Sequence, residues 1–330
     1  MTATFWAPGR VNLIGEHTDY SGGLVLPVAI QLGIELSAAP AQRIALVSEG
    51  DAVELSADGT GDAEGWGRYV GAVAKELAEL GRPAVGLEGV VTADLPRGAG
   101  LGSSGALEVA VALALCEVAG FEVEPLELVQ ACQRAEQRAV GVPSGILDQA
   151  GSLLGREGHA LVLDCGTLER RWVELPPALA ILVVDSGERR SLEFSGYADR
   201  RAELEAGDPR RVRHVASENG RVLELVDALE GNDLQALGSI FLASHASLRD
   251  DYEVSTPTVD AVVAAALEAG ALGARMTGGG FGGSVVVVAE RENADAVLRG
   301  TLERAGSQGW FVEASAGATR RRKDSLPGPA

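Results

Sequence analysis

The feature that most constrains this chain is a glycine-rich turn that runs directly into an apolar helix between Asp94 and Gly120. Glycines let the backbone approach a bulky anion without an intervening side chain. The first turn of the following helix presents unpaired amides and the positive end of the helix dipole. The stretch therefore predicts a phosphate-binding loop. Its amides come from Gly98, Ala99, Gly100, Leu101, Gly102, Ser103 and Ser104.

The predicted loop differs from the two commonest nucleotide-binding motifs. A strand, Val85–Ala93, precedes it, but no Gly-Lys-Ser/Thr follows the glycines as the common nucleotide loop requires. The third glycine and the distant acidic residue of the dinucleotide fingerprint are also missing. On these residues alone, a helix that merely begins with a sharp turn fits the stretch as well as a phosphate loop does.

Length and charge narrow the class of protein. The 330 residues exceed the usual size of a single hydrophobic core, so we expect two domains. The net charge of −19 disfavours nucleic acid as a partner, because a phosphate backbone needs a basic face. A nucleotide bound by so acidic a chain must be held by local amides and a divalent cation.

Cysteine and histidine usage argues against disulfides and transition metals. Cys116, Cys132 and Cys165 are isolated from one another, which is typical of buried thiols in a reducing compartment. The four histidines lack the i, i+4 spacing of a helical metal site. The N-terminal residues show no signal peptide and no apolar run reaches membrane-spanning length, so we expect a cytoplasmic protein with no membrane partner.

Residue patterning predicts strands and helices along the whole chain. A short strand at Thr4–Ala7 is followed by a loop, and Ser144 is a candidate N-cap for a later helix. Pro176 and Pro177 mark the best domain boundary, and the residues from Arg320 onward are expected to form a frayed tail. The other predicted strands are 24–36, 43–47, 52–55, 160–164, 171–175, 179–184, 273–276, 284–288 and 310–314, and the predicted helices are 66–80, 126–140, 193–206, 212–230, 232–249, 257–269 and 293–305.

Three separated motifs occur in a fixed order and resemble those of a known family. They are APGRVNLIGEHTDYSGG (7–23), LPRGAGLGSSGALEVA (95–110) and GARMTGGGFGGSVVVV (273–288). The set resembles the three motifs of the GHMP small-molecule kinases, and the first is similar to the signature of the galactokinases in that family. Further similar stretches are CQRAEQRAVGVPSGILDQ (132–149), VVDSGERRSLEFSGYADRR (183–201) and SHASLRDDYEVSTPTVD (244–260).

The resemblance implies an α+β fold in two halves with the active site in the cleft between them. The first half, 1–176, would carry the sugar signature and the phosphate loop, and the second, 177–330, would be ferredoxin-like. Similar enzymes transfer the γ-phosphate of Mg-ATP to the anomeric hydroxyl of α-D-galactose, giving galactose 1-phosphate and ADP. We therefore expect a monomeric sugar kinase that binds galactose and ATP and uses Mg²⁺.

By the same resemblance, Asp148 matches the catalytic aspartate and Arg10 the arginine beside it. Phosphoryl transfer depends mainly on alignment and on the neutralisation of charge. An adjacent guanidinium would lower the pKa of the carboxyl, so that Asp148 accepts a proton only as the hydroxyl oxygen attacks phosphorus. Orientation of the hydroxyl then contributes alongside proton abstraction. The alternative interpretation of Asp148 is an aspartate stabilised by the dipole at a helix start.

The resemblance also implies a magnesium site at the start of the phosphate-loop helix. Ser104 is the expected serine ligand, with Ser103 close behind it, and Glu136 matches the acidic ligand. Magnesium prefers oxygen ligands and keeps several waters. Glu108 is the rival carboxylate, because it lies one helical turn beyond Ser104 on the same face. Glu136 could instead be a solvated helix carboxylate.

Sugar recognition needs several polar groups in fixed positions, since a site that pairs every hydroxyl rejects epimers. Asp19 is the residue expected to bind the axial hydroxyl at carbon four, although it could simply be a turn residue before Gly22 and Gly23. The sugar contacts that match the family are Arg10, Glu16, His17, Asp19, Gly145 through its amide, Asp148 and Tyr197.

Three further features concern the nucleotide. Trp66 and Tyr69 match an aromatic pair near the adenine, although an amphipathic helix explains both as core residues. The loop Gly278–Gly283 resembles the third motif, which folds over the phosphate loop, and a tight hairpin is compatible with that role. Gly105 stands where galactokinases often have alanine, and it would weaken the helix start by roughly 0.5–1 kcal/mol.

Two alternative functions stay open at this point. One is a kinase for a related sugar such as N-acetylgalactosamine or arabinose. The other is a non-catalytic galactose sensor that binds a regulatory protein, for which a damaged phosphate loop would be the mark. The residues that such a sensor could lose, Arg10, Ser103, Ser104, Glu136 and Asp148, are all present.

Overall fold

The computed structural model describes residues 2–96, 98–188 and 196–321, and these residues form a mixed α+β structure, as predicted. The strands are β1 Ala3–Asn12, β2 Leu24–Val25, β3 Pro27–Ala41, β4 Arg43–Ser48, β5 Asp51–Ser56, β6 Gly86–Ala93, β7 His159–Asp164, β8 Arg170–Glu174, β9 Leu179–Asp185, β10 Gly273–Thr277, β11 Ser284–Glu290, β12 Gln308–Val312 and β13 Thr319–Arg321. The helices are α1 Gly67–Glu79, α2 Ser103–Ala119, α3 Pro125–Val140, α4 Leu147–Leu154, α5 Tyr197–Glu205, α6 Pro209–Glu230, α7 Leu234–Asp250, α8 Pro257–Glu268 and α9 Ala294–Leu302.

A six-stranded sheet of order β13-β1-β3-β6-β4-β5 supports the phosphate loop. Helix α2, which follows that loop, packs on β1 and β3 and is covered by α1, α3 and α4. This position explains its sequence, because a helix that is apolar on every side must be buried on every side. Residues 105–112 of α2 are all buried, including Glu108. The body of α2 is therefore held within the core, while its first two residues, Ser103 and Ser104, keep exposed surface.

Two smaller sheets complete the structure. The four-stranded sheet of order β10-β11-β9-β12 is antiparallel, and α7, α8 and α9 pack against its strands. Its strand β9 is buried along its whole length, as its unbroken apolar run predicts. The third sheet has the order β2-β7-β8. Among the described residues, no helix combines the length and the apolar character needed to cross a bilayer.

The first strand is longer than predicted. It was expected to end at Ala7, but β1 continues to Asn12 and pairs with β3 throughout. The register shifts between Pro8 and Arg10, which marks an irregularity of the β-bulge type. A bulge accommodates a proline that cannot donate to the ladder and re-aims the next side chains. The segment that carries Arg10 is therefore part of a rigid sheet and not a loop.

Two other expectations are corrected. Ser144 is not an N-cap, because α4 begins at Leu147 and no side chain caps it. Arg320 is not part of a frayed tail, because it pairs with Phe5 in the strand β13. Residues 322–330, and the beginning of the helix predicted from 193, lie outside the described residues. The division of the chain at 176/177 stays a prediction.

Two glycines, one in α6 and one in α7, provide a test of how α7 packs against the segment that leads into β10. A methyl group at Gly238 of α7 would overlap the carbonyl oxygen of Leu272, at the approach to β10. We expect Gly238→Ala to destabilise the protein by about 1–3 kcal/mol through overpacking. The matched control is Gly220→Ala in α6, where a methyl group meets open space. That change should stabilise the protein by roughly 0.5–1 kcal/mol, since alanine favours a helix.

Thermal and urea unfolding of the two variants would check this prediction. A Gly238→Ala protein as stable as the native protein would contradict the packing described for α7 and β10.

Candidate active site

A cleft of about 420 Å³ lies beside the start of α2. Its walls come from β1 and the following turn, the phosphate loop, the α3–α4 segment, α5 and the loop after β10. A size of this order is typical of small-molecule sites. The predicted site residues that line it are Arg10, Glu16, His17, Asp19, Tyr69, Gly98, Gly100, Leu101, Gly102, Ser103, Ser104, Glu136, Gly145, Asp148 and Tyr197. Ala99 and Trp66 do not line it.

The phosphate loop has the backbone conformation that its glycines predict. Gly98, Gly100 and Gly102 have φ angles of 73°, 73° and 72°, a left-handed region that favours glycine. Three loop carbonyls accept bonds from residues outside the loop and the helix that follows it. Ala99 O accepts from Ser284 Oγ at 2.6 Å, while Gly100 O and Leu101 O accept from Nη1 and N of Arg10 at 2.6 and 2.9 Å. With these carbonyls turned to protein donors, the loop amides can face an anion in the cleft.

Arg10 and Asp148 form an ion pair at this end of the cleft. Arg10 Nε donates to Asp148 Oδ1 at 2.8 Å, and Nη2 donates to the same oxygen. Both bonds end on Oδ1, so Oδ2 is the oxygen that can face a hydroxyl group. Arg10 is buried, which makes its charge an effective partner for the carboxylate.

Small residues make this pairing possible. A methyl group at Gly102 or Gly151 would lie 3.1 Å from the Arg10 side chain, and one at Gly105 would lie 2.9 Å from Asp148 Cβ. Gly105 was expected to act by weakening the helix start. The structure shows a second effect, which is that it lets the starts of α2 and α4 come into contact.

Ser104 and Glu136 meet at the start of α2. Ser104 Oγ donates to Glu136 Oε1 at 2.8 Å. Burial and the nearby charge of Asp148 raise the pKa of Glu136. A cation bound beside Ser104 and Glu136 would therefore stabilise the charged form of this carboxyl group. Two oxygen donors facing a phosphate loop suit Mg²⁺, which takes its remaining ligands from water and substrate phosphates. Glu108 is fully buried behind this pair and does not line the cleft.

Glu16 connects the turn after β1 with the loop after β10. Its Oε1 accepts bonds from Thr277 Oγ1 at 3.0 Å and from the Gly278 amide at 3.1 Å. Its Oε2 pairs with Arg275, which is fully buried and also donates to the Leu13 carbonyl. The sequence predicted neither Arg275 nor Thr277 as partners of Glu16. The only signal was that both residues lie in the third motif.

Asp19 and Gly145 touch each other in the cleft. A methyl group at Gly145 would overlap Asp19 Oδ2, so a larger residue here would require the carboxylate to move. Asp19 keeps some exposed surface, but the surrounding protein removes most of its hydration. This burial, together with the charge of Asp148, raises the pKa of Asp19 to about 7. The carboxyl therefore changes its charge near neutral pH.

An aromatic cluster supports His17. The His17 ring lies 4.5 Å from the Tyr252 ring and 5.5 Å from the Tyr197 ring, and Nδ1 hydrogen-bonds the Tyr20 hydroxyl at 2.9 Å. The hydroxyls of Tyr20 and Tyr252 are 2.6 Å apart. Burial raises the pKa of Tyr197 well above its ordinary value, so its hydroxyl stays a donor. Sequence reasoning missed Tyr252, although it lies within one of the similar stretches.

Hydrophobic side chains also line the cleft. Among them are Tyr69, Val140 and Val142. Trp66 lies at the start of α1 and packs against the hydrophobic core. The structure therefore places one of the two predicted aromatic residues in the cleft and the other outside its lining.

Family models match three parts of the chain. The model described as the GHMP kinases N-terminal domain matches residues 68–156, and the GHMP kinases C-terminal model matches residues 225–305. The galactokinase galactose-binding signature matches residues 2–40. The first two together cover the phosphate loop, the end of α6 and all of α7, α8 and α9. The signature covers the turn that carries Glu16 and Asp19.

Solved structures agree with these matches. A galactokinase from Lactococcus lactis, solved with galactose, is 32% identical, covers 96% of this chain and 95% of its own, and has a TM-score of 0.88. The L. major mevalonate kinase (21% identity, 96% and 97% coverage, TM-score 0.74) and the Cytophaga hutchinsonii homoserine kinase (21%, 97% and 97%, 0.68) share the fold. Thus the chain belongs to the galactokinases within the GHMP kinase family.

Proposed function

We propose that this protein transfers the γ-phosphate of ATP to the anomeric hydroxyl of galactose, giving galactose 1-phosphate and ADP. The observation that carries the proposal is one cleft in which the amide-lined loop from Gly98 to Ser104, the Arg10–Asp148 pair and the Asp19–Gly145 contact face the same space. An anion site and a polar sugar site share this space, as phosphoryl transfer between them requires.

In the proposed reaction, the anomeric oxygen attacks the γ-phosphorus while the bond from phosphorus to the ADP oxygen breaks. Asp148 Oδ2 orients the hydroxyl and accepts its proton as the new bond forms. Arg10 keeps the carboxylate in place through its two bonds to Oδ1. The amides of the phosphate loop hold the transferred group and stabilise its charge.

Magnesium is the proposed cofactor. Ser104 and Glu136 would hold it, and when bound it would neutralise charge on the ATP phosphates. The Ser104 hydroxyl and the Glu136 carboxylate are already hydrogen-bonded to each other. The two proposed oxygen ligands therefore lie side by side before any metal binds.

For the sugar, we propose that Asp19 accepts a bond from the hydroxyl at carbon four, with the Gly145 amide beside it. His17 and Tyr197 would contact other hydroxyls. Glu16 is proposed as a sugar contact too, although both of its oxygens already accept bonds from the protein. Tyr69 would border the adenine. A contact between Trp66 and the adenine stays a prediction from sequence. A monomeric state and a cytoplasmic location likewise stay predictions.

We expect Asp148→Asn to lower kcat by about 10²- to 10⁴-fold, because it removes the proton acceptor while the amide can still pair with Arg10. Galactose affinity, measured by calorimetry, should change far less than kcat. A coupled ADP assay with galactose, glucose, N-acetylgalactosamine and arabinose would give the rates and the sugar preference. Turnover within a few-fold of the native rate would contradict the role of Asp148, and turnover of another sugar alone would contradict galactose as the substrate.

The pKa of Asp19 predicts how sugar use depends on pH. Its ionised form, which accepts the sugar hydroxyl, predominates only above a pKa of about 7. As the pH falls through this value, kcat/KM for galactose should fall by about tenfold per pH unit. Asp19→Asn should have a low kcat/KM without this inflection. The same inflection in both proteins would show that another group titrates.

A change at Gly145 tests the sugar contact by geometry alone. Gly145→Ala should displace the Asp19 carboxylate and raise KM for galactose by about tenfold or more, a loss expected when a polar partner is misplaced. The KM for ATP should stay near its native value, and Gly220→Ala serves as the control for a glycine change elsewhere. An unchanged KM for galactose would argue against Asp19 as a sugar ligand.

A further inference from the structure

The carboxylate of Glu136 is held from two directions. Its Oε1 accepts the bond from Ser104 Oγ on the cleft side, and its Oε2 accepts a bond from Gln149 Nε2 at 3.0 Å on the buried side. A carboxylate bonded through both oxygens has little rotational freedom. The direction in which Glu136 presents its oxygens to the cleft therefore depends on Gln149 as well as on Ser104.

Gln149 is fully buried in α4, and its amide nitrogen has two acceptors. Besides Glu136 Oε2, Nε2 donates to Glu108 Oε2 at 2.8 Å. An amide nitrogen carries two hydrogens, so both are used, one for each carboxyl group. The two bonds fix the plane of the amide between α2 and α3. An unfixed amide could turn its oxygen toward Glu136 and repel it.

Glu108 is the second carboxyl group that accepts a bond from the Gln149 amide. It is fully buried in α2, and its Oε1 has no hydrogen-bond partner among the described residues. Burial and the negative charge of Glu136 raise the pKa of Glu108 well above its ordinary value, which favours the neutral acid. The bond from Gln149 uses only Oε2 of Glu108, so the geometry holds in either protonation state.

We propose that Gln149, held in place by Glu108, is a positioning residue that orients the Glu136 carboxylate toward the magnesium ion of the proposed function. Neither residue touches substrate. Residues that orient metal ligands from behind affect metal affinity strongly, since a ligand in the wrong rotamer binds poorly. The sequence places Gln149 directly after Asp148, so the same helix start supplies the proposed proton acceptor and the support of the metal ligand.

The test measures metal binding without turnover. Electron paramagnetic resonance would follow Mn²⁺ binding to the full chain with a non-hydrolysable ATP analogue and no galactose. We expect Gln149→Met, which keeps the volume but removes the donor, to weaken Mn²⁺ binding by about 10- to 100-fold. Glu108→Gln keeps an acceptor oxygen for Gln149, and its affinity should stay within about threefold of native. Galactose affinity, measured by calorimetry, should be unchanged in both variants.

The outcomes separate the two proposals. Native affinity for Mn²⁺ in Gln149→Met, or an equal loss of galactose and Mn²⁺ affinity, would overturn the positioning role while the proposed function stands. A native protein that binds no Mn²⁺ with the nucleotide would overturn both. If Gln149→Met does not fold, Gln149→Asn withdraws the same amide by one methylene and is expected to show the same selective loss of Mn²⁺ affinity.

Discussion

Arg10 joins three elements that line the cleft, namely β1, the phosphate loop and the start of α4. Its backbone is part of β1, its main-chain amide and one guanidinium nitrogen bond the phosphate loop, and its remaining nitrogens bond Asp148 at the start of α4. Buried charged groups are stable only when they are fully paired. The side chain therefore fixes the loop and the helix relative to each other, because any separation would leave its charge unpaired.

A second set of buried bonds connects the two halves of the chain. Arg275 of β10 bonds Glu16 and the Leu13 carbonyl, and Ser284 at the start of β11 bonds the Ala99 carbonyl in the phosphate loop. The third motif thus contacts both the turn that carries Glu16 and the phosphate loop. This arrangement explains why three motifs far apart in sequence are needed for one cleft, and it gives Glu16 a structural role in addition to its proposed contact with the sugar.

Much of the fold and of the site could be predicted from the sequence, because the signals were local. Alternating and apolar runs located most strands and helices. Closely spaced glycines marked the phosphate loop, and the structure gives these glycines positive φ angles. The family resemblance named Arg10 and Asp148, which the structure brings into contact. Predictions failed where long-range pairing decides the outcome. The bulge that lets β1 pass Pro8, and the pairing of Arg320 with Phe5, depend on strands distant in sequence.

The same reason explains the site residues that were missed. Arg275, Tyr252 and Gln149 act through contacts with residues more than ten positions away. Each lies in a stretch that resembles the family, but no local pattern marks its contacts. Glu108 could be placed on the correct helix face, but its complete burial follows from the packing of α3 and α4 on α2.

The most direct test of the account is a crystal structure with galactose and a non-hydrolysable ATP analogue bound together. We predict the terminal phosphate on the amides between Gly98 and Ser104, and the anomeric hydroxyl within hydrogen-bonding distance of Asp148 Oδ2. A sugar bound away from Asp148 and Asp19, or a triphosphate bound away from the loop, would contradict it.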